Sequence, residues 1–150
     1  MGPLEASIKS VESGLHCYLA DLAVMTEDQV MSSAGGAARK AVDFTYEVAL
    51  LNERMAARIR GEELPPEPTE DWWCAPEELR SKALISDYLK KTTEDLLTEL
   101  RAIPEEDCAR LIGKRPAYAA AHFAGLHMMY HAAQLNFIQA LGGDDKMHWG

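Results

Sequence analysis

Leu4, Ile8, Val11, Leu15, Tyr18 and Leu22 recur at spacings of four and three, the period that gathers side chains on one face of a helix. The pattern predicts a first helix over about residues 4–23. Thr26-Glu27-Asp28-Gln29 then has the form of a capping box, in which the threonine hydroxyl accepts from one free backbone amide and the glutamine side chain accepts from another, so a short turn is expected to start there. Gly35-Gly36 interrupts the pattern. A second stripe, Phe44, Val48, Leu51, Met55 and Ile59, predicts a helix between Ala37 and Arg60. Its last turn carries arginines, which the negative end of the helix dipole favours, and Gly61 is its stop.

From Gly61 to Pro76 the chain changes character. Pro65, Pro66, Pro68 and Pro76, interleaved with Glu62, Glu63, Glu67, Glu70 and Asp71, exclude a continuous helix. So long a connection in a compact domain is expected to be a crossover that spans the molecule, with Trp72 and Trp73 clamping its end onto the helices. Pro76-Glu77-Glu78 has the form of a first helical turn, proline leading and acids at the positive end of the dipole. Leu79, Leu84, Tyr88, Leu96, Leu100 and Ile103 carry this third helix to Pro104, and after an irregular stretch through Gly113 and Pro116 a fourth runs from about Ala117 to Leu141 and closes at Gly142-Gly143. There is no strand-like alternation of useful length, no internal repeat and no low-complexity tract. The expected fold is therefore all-α, a four-helix bundle with a long crossover between helices two and three, forming a single domain over residues 1–150.

Composition narrows the function classes. Apolar residues at 47% and charged residues at 26% are a globular balance, and no run approaches the length of a membrane span. A net charge of -9 opposes the phosphate attraction on which nucleic-acid affinity rests, so neither nucleic acid nor membrane is an expected partner. Cys17, Cys74 and Cys108 are odd in number and widely spaced, and the first residues lack a basic region followed by an apolar core. Ala6 stands where a myristoylation pattern needs Ser or Thr. The expectation is a cytoplasmic protein with reduced thiols and no lipid anchor.

The chemistry concentrates in the fourth helix. His127 and His131 are four apart, about 6 Å along the axis and about 40° around it, so both imidazoles can reach one centre. Phe123, His127, Tyr130, Gln134, Phe137 and Leu141 read as the inward stripe, which places the pair in the bundle interior; His122, about 140° away, does not join them. Burying two imidazoles side by side calls for a partner. Glu47, three residues after Phe44 and four before Leu51, offers the third ligand of a metal site, with Asp43 one turn earlier as the weaker candidate. The alternatives are hydrogen-bonded core histidines and a Glu47 that reaches solvent or pairs with an arginine. Met128, Met129 and Tyr130 separate the two histidines, so the His-Glu-x-x-His of metalloproteases and its general base are absent. His148, near the end of the chain, is expected to be loosely held, and the three cysteines to be incidental thiols.

The segment Gly125-Leu-His-Met-Met-Tyr-His-Ala-Ala-Gln-Leu-Asn-Phe-Ile-Gln-Ala-Leu-Gly-Gly-Asp144 resembles the last helix of the DinB-like superfamily, in which a His-x-x-x-His pair is followed after two residues by glutamine and later by a glycine-containing stop. Asp43 to Gly61 is similar to that superfamily's second helix, and the order of elements fits nearly the whole chain. The resemblance implies an up-down-down-up bundle, dimeric in many members, that holds nickel, zinc or another divalent ion through three histidines. Members of known activity include transferases and an isomerase that use low-molecular-weight thiols. It also implies that His127 and His131 are metal ligands. The superfamily's helix-two histidine falls at or beside Glu47, and this chain has no histidine in that helix.

A carboxylate in place of an imidazole lowers the net charge of a bound divalent ion from about two to about one and favours harder ions. The expected cofactor is a divalent ion, nickel, zinc or iron, held by Glu47, His127 and His131, with Tyr130 and Gln134 as candidate supporting partners. One reading is a metal-dependent transferase or hydrolase acting on a small molecule or low-molecular-weight thiol. The other is a non-catalytic helical scaffold or small-ligand-binding protein. A homodimer is expected under both.

Overall fold

The computed structural model describes residues 1–150. α1 (Pro3–Val24) opens with proline at its first position, and its free amides at Leu4 and Glu5 are capped from far along the chain by the Glu105 carboxylate, at 3.0 Å each. The predicted stripe is its buried face: Leu4, Val11, Leu15, Tyr18 and Leu22 are enclosed and Ile8 packs against them. The capping box forms as expected. Thr26 Oγ1 accepts from the Gln29 amide at 3.1 Å and Gln29 Oε1 accepts from the Thr26 amide at 2.9 Å, which starts the short α2 (Glu27–Met31). α3 (Ala41–Arg60) ends where Gly61 turns left-handed at φ 72°.

The start of the third long helix differs from expectation. Pro76 leads only a single 3-10 turn (Glu77–Leu79), and α4 (Lys82–Arg101) begins afresh where the Ser81 hydroxyl accepts from the Leu84 amide at 3.0 Å. A side-chain cap satisfies an orphan amide that proline cannot, so the serine sets the boundary. The irregular stretch contains a two-stranded hairpin, β1 (Leu111–Ile112) with β2 (Arg115–Pro116), turning through Gly113 at φ 64°. It leads directly into α5 (Ala117–Leu141).

Contacts between helices give the path. Ser10 lies against Gly125, Gly14 against Met128, and Asp21 bonds Asn136, so α1 and α5 run parallel. Asn52 bonds Thr93 and Arg60 bonds Asp95 and Glu99, so α3 and α4 also run parallel. The pairs are mutually antiparallel: Arg101 meets Glu12 while Lys82 reaches the carbonyls of Ala23 and Met25, and Phe44 stacks on His131. This is an up-down-down-up bundle. Parallel neighbours need a connection that returns the full length of a helix, about 30 Å for twenty residues, which is why residues 61–81 form a long crossover.

Polar contacts fasten that crossover rather than buried tryptophans. Trp72 is 66% exposed. Arg54 donates to the Pro65 carbonyl and, at 3.0 Å, to Glu67; Arg39 donates to the Trp73 carbonyl at 3.1 Å and lies over the Trp72 ring; Asp43 accepts from the Ala75 amide at 2.9 Å. The final residues are held as well. The Trp149 indole donates to the buried Asp21 at 2.9 Å, and His148 pairs with Asp144 at 2.8 Å.

α5 is turned relative to the predicted stripe. Its buried face is Ala117, Ala120, Ala121, Ala124, Gly125, Met128, His131, Ala132, Leu135 and Ile138, with Gln139, whereas Tyr130, Phe137 and Leu141 are 63%, 66% and 60% exposed. The small residues face inward because α1 comes so near: a Cβ on Gly125 would stand 2.4 Å from Ser10 Oγ. A helix apolar nearly all round leaves the choice of face to fit, and small side chains permit the closer approach. No helix is long and apolar enough to cross a membrane.

Candidate metal centre

α3 and α5 cross antiparallel at mid-length, and three side chains converge there. Glu47 Oε1 is 3.3 Å from His127 Nε2 and 3.6 Å from His131 Nε2, and the two imidazole nitrogens are 3.1 Å apart. These three residues are the cluster whose donor atoms all lie within 4.8 Å of one another. The rings are set by their neighbours. Phe44 stacks on His131 at 5.0 Å between centroids and Phe123 on His127 at 5.5 Å. Gln134 Oε1, 2.6 Å from His131 Nδ1, accepts that nitrogen's proton, which leaves the Nε2 lone pair bare and aimed at the centre.

Glu47 uses both oxygens. Oε1 faces the imidazoles, and Oε2 takes an ion pair from Arg39 Nη2 at 2.8 Å. Partial burial alone would raise its carboxyl pKa. The hydrogen bond from His127, together with the charge and hydrogen bond of Arg39, outweighs that burial and holds it well below the usual carboxylate range. The group is a ready-made anion, not a proton store.

The donor set fits a divalent ion. Bond lengths of about 2.0–2.1 Å in a tetrahedral site put ligand atoms about 3.3–3.4 Å from each other, and the three separations here, 3.1, 3.3 and 3.6 Å, bracket that value with no side chain moved. Two neutral nitrogens and one carboxylate suit zinc, nickel or iron, with the remaining positions left to solvent or substrate.

Of the other residues singled out in the sequence, Gln134 stands beside His131, while Tyr130 touches the same ring only edge-on at 4.9 Å and projects outward. Asp43 does not join the centre: its carboxylate is spent on Ala75 and on Arg80 at 3.4 Å, fixing the crossover. His122 is exposed, and His148 is occupied by Asp144. The three cysteines are free thiols, and burial pushes that of Cys17 upward.

Two features had no position in the sequence. Pairing of Glu47 with an arginine was one alternative, and the partner is Arg39, which lies outside α3 in the link from α2 at no motif spacing from the carboxylate. That link also walls a cavity of about 500 Å³ through Ala34, Ala37 and Ala38. Arg39, Phe44, Tyr130, Gln134, Phe137 and Ile138 are among the remaining lining residues, so the cavity borders the centre through residues that touch Glu47 and His131.

No family model and no curated protein matches this chain. The crystal structure of a conserved protein from Enterococcus faecalis is similar in fold, with a TM-score of 0.73 at 19% sequence identity, over 96% of this chain and 99% of that one.

Proposed function

We propose that this protein is a metal-dependent enzyme of the DinB-like kind, a transferase or hydrolase for a small molecule or low-molecular-weight thiol. In this reading Glu47, His127 and His131 hold one divalent ion, zinc, nickel or iron. The observation that carries the proposal is the convergence of three donor atoms at 3.1–3.6 Å between two packed helices, one of them with its tautomer already selected by Gln134. A bound ion of this kind supplies Lewis acidity, lowering the pKa of a water or thiol at a position the protein leaves open. The chain's own residues do the rest. Gln134 keeps His131 in the binding tautomer, Arg39 keeps Glu47 ionised and draws off part of its negative charge, and the cavity's apolar wall of Phe44, Phe137 and Ile138 takes the organic part of a substrate. The row Leu126, Tyr130, Phe137 and Leu141, exposed on the outer face of α5, supports a homodimer.

Elemental analysis of protein purified without an affinity tag tests this reading. Near one equivalent of zinc, nickel or iron is expected, lost in His127→Ala and in Glu47→Ala with helical circular dichroism retained; sedimentation of the same sample is expected to give twice the chain mass. Parent protein that takes up none of the three ions overturns it. The Glu47–Arg39 ion pair favours a second reading, a non-catalytic small-ligand-binding bundle, in which the variants hold no less metal than a metal-free parent.

A further inference from the structure

A second cavity, of about 440 Å³, lies at the other end of the α3–α5 groove, lined by Met55, Arg58, Ile112, Lys114, Arg115 and Ala120 around the hairpin turn at Gly113. Ala120 precedes His127 by seven residues, about 10 Å along the helix, so this cavity is separate from the candidate metal centre. Its charge is opposite to that of the molecule. In a chain of net charge -9, carboxylates pair with Lys9, Arg39, Arg54, Arg60, Arg80, Lys90 and Arg101, and none reaches Arg58, Lys114 or Arg115.

Two of these three cations pack against their neighbours. The Arg58 side chain passes over Gly113, where a Cβ would stand 3.6 Å from its Cδ and Nε. The Arg115 guanidinium sits 4.2 Å above the Phe123 ring. The hairpin that brings them together is itself tied to the end of α3, since Arg110 donates to the Ile59 carbonyl at 3.1 Å. Like charges gathered at one concavity repel one another, an arrangement that a compact oxyanion relieves.

We infer that this cavity binds a small molecule through a group of two or more negative charges, a phosphate or a cluster of carboxylates, clasped by Arg58, Lys114 and Arg115, with its organic part against Met55, Ile112 and Ala120. Arginine forks match both oxyanions in two-point contact, and the apolar wall leaves room for more than a bare ion.

The test is calorimetric titration of the full chain, freed of metal over a chelating resin so that the outcome is independent of the metal centre, with inorganic pyrophosphate and with citrate at matched ionic strength. One-to-one saturable binding tighter than about 1 mM is expected. The tighter of the two ligands distinguishes a phosphate from a carboxylate group. Arg58→Gln and Lys114→Gln are each expected to weaken binding about tenfold. Lys9→Gln, which removes a cation from the distant surface of α1, is expected to leave it unchanged. Absence of saturable binding by both ligands overturns the inference, and so does an equal loss in Lys9→Gln, which would reduce the effect to bulk charge.

Discussion

Glu47 sits at the point where two demands meet: one oxygen toward a pair of imidazoles, the other toward Arg39. The environment that would hold a metal is therefore built from side chains that are already mutually satisfied, and the residue most exposed to a test is the one that only orients. Gln134 accepts from His131 Nδ1, and its removal frees that ring to change tautomer. Gln134→Ala is expected to lower metal affinity roughly 10–100-fold, measured by competition with a chromophoric chelator, while Tyr130→Phe leaves it unchanged because its hydroxyl holds no position at the centre. The histidine pair and Glu47 were readable from the chain because helical period alone brings residues four apart to one face, and because a carboxylate between Phe44 and Leu51 needs a cation nearby. Arg39 was not readable. It reaches Glu47 through the fold of a glycine-interrupted link, and no spacing along the sequence encodes that approach.

At the scale of elements, local signals set the termini and packing set the faces. The capping box at Thr26 and the stop at Gly61 follow from backbone groups satisfied within a few residues, so they are legible in sequence. The break at Arg80 and Ser81 followed the same chemistry through a weaker cue, a lone serine that outcompetes a proline with two acids. The face of α5 did not follow from its own residues. Large apolar side chains at Tyr130, Phe137 and Leu141 suggested an inward stripe, whereas close approach of α1 rewards alanine and glycine instead. Gly125→Val is accordingly expected to force the α1–α5 contact apart at Ser10 and to destabilise the fold by roughly 1–3 kcal/mol, read as a lowered midpoint in urea. An unchanged midpoint would mean that α1 does not pack there.

For the molecule as a whole, alkaline pH strikes at the buried Tyr18 and the half-buried Tyr88. Burial pushes the hydroxyl of Tyr18 far up, and burial followed by the hydrogen bond and charge of Glu53 does the same for Tyr88. In the unfolded chain both ionise near the ordinary value of 10.0, so the unfolded state releases protons first. Their contribution to stability is complete below pH 10 and falls as pH rises beyond it. Urea midpoints are expected to decline above pH 10, less steeply in Tyr88→Phe; an identical decline in that variant would remove Tyr88 from the account. The parallel pairing has a different consequence, in the order of assembly. The long contact of α1 with α5, Ser10 against Gly125 and Gly14 against Met128, joins residues more than a hundred apart. A chain built this way forms many of its decisive contacts across long loops, which slows folding relative to an up-down bundle of the same size, whose neighbouring helices pair across short turns.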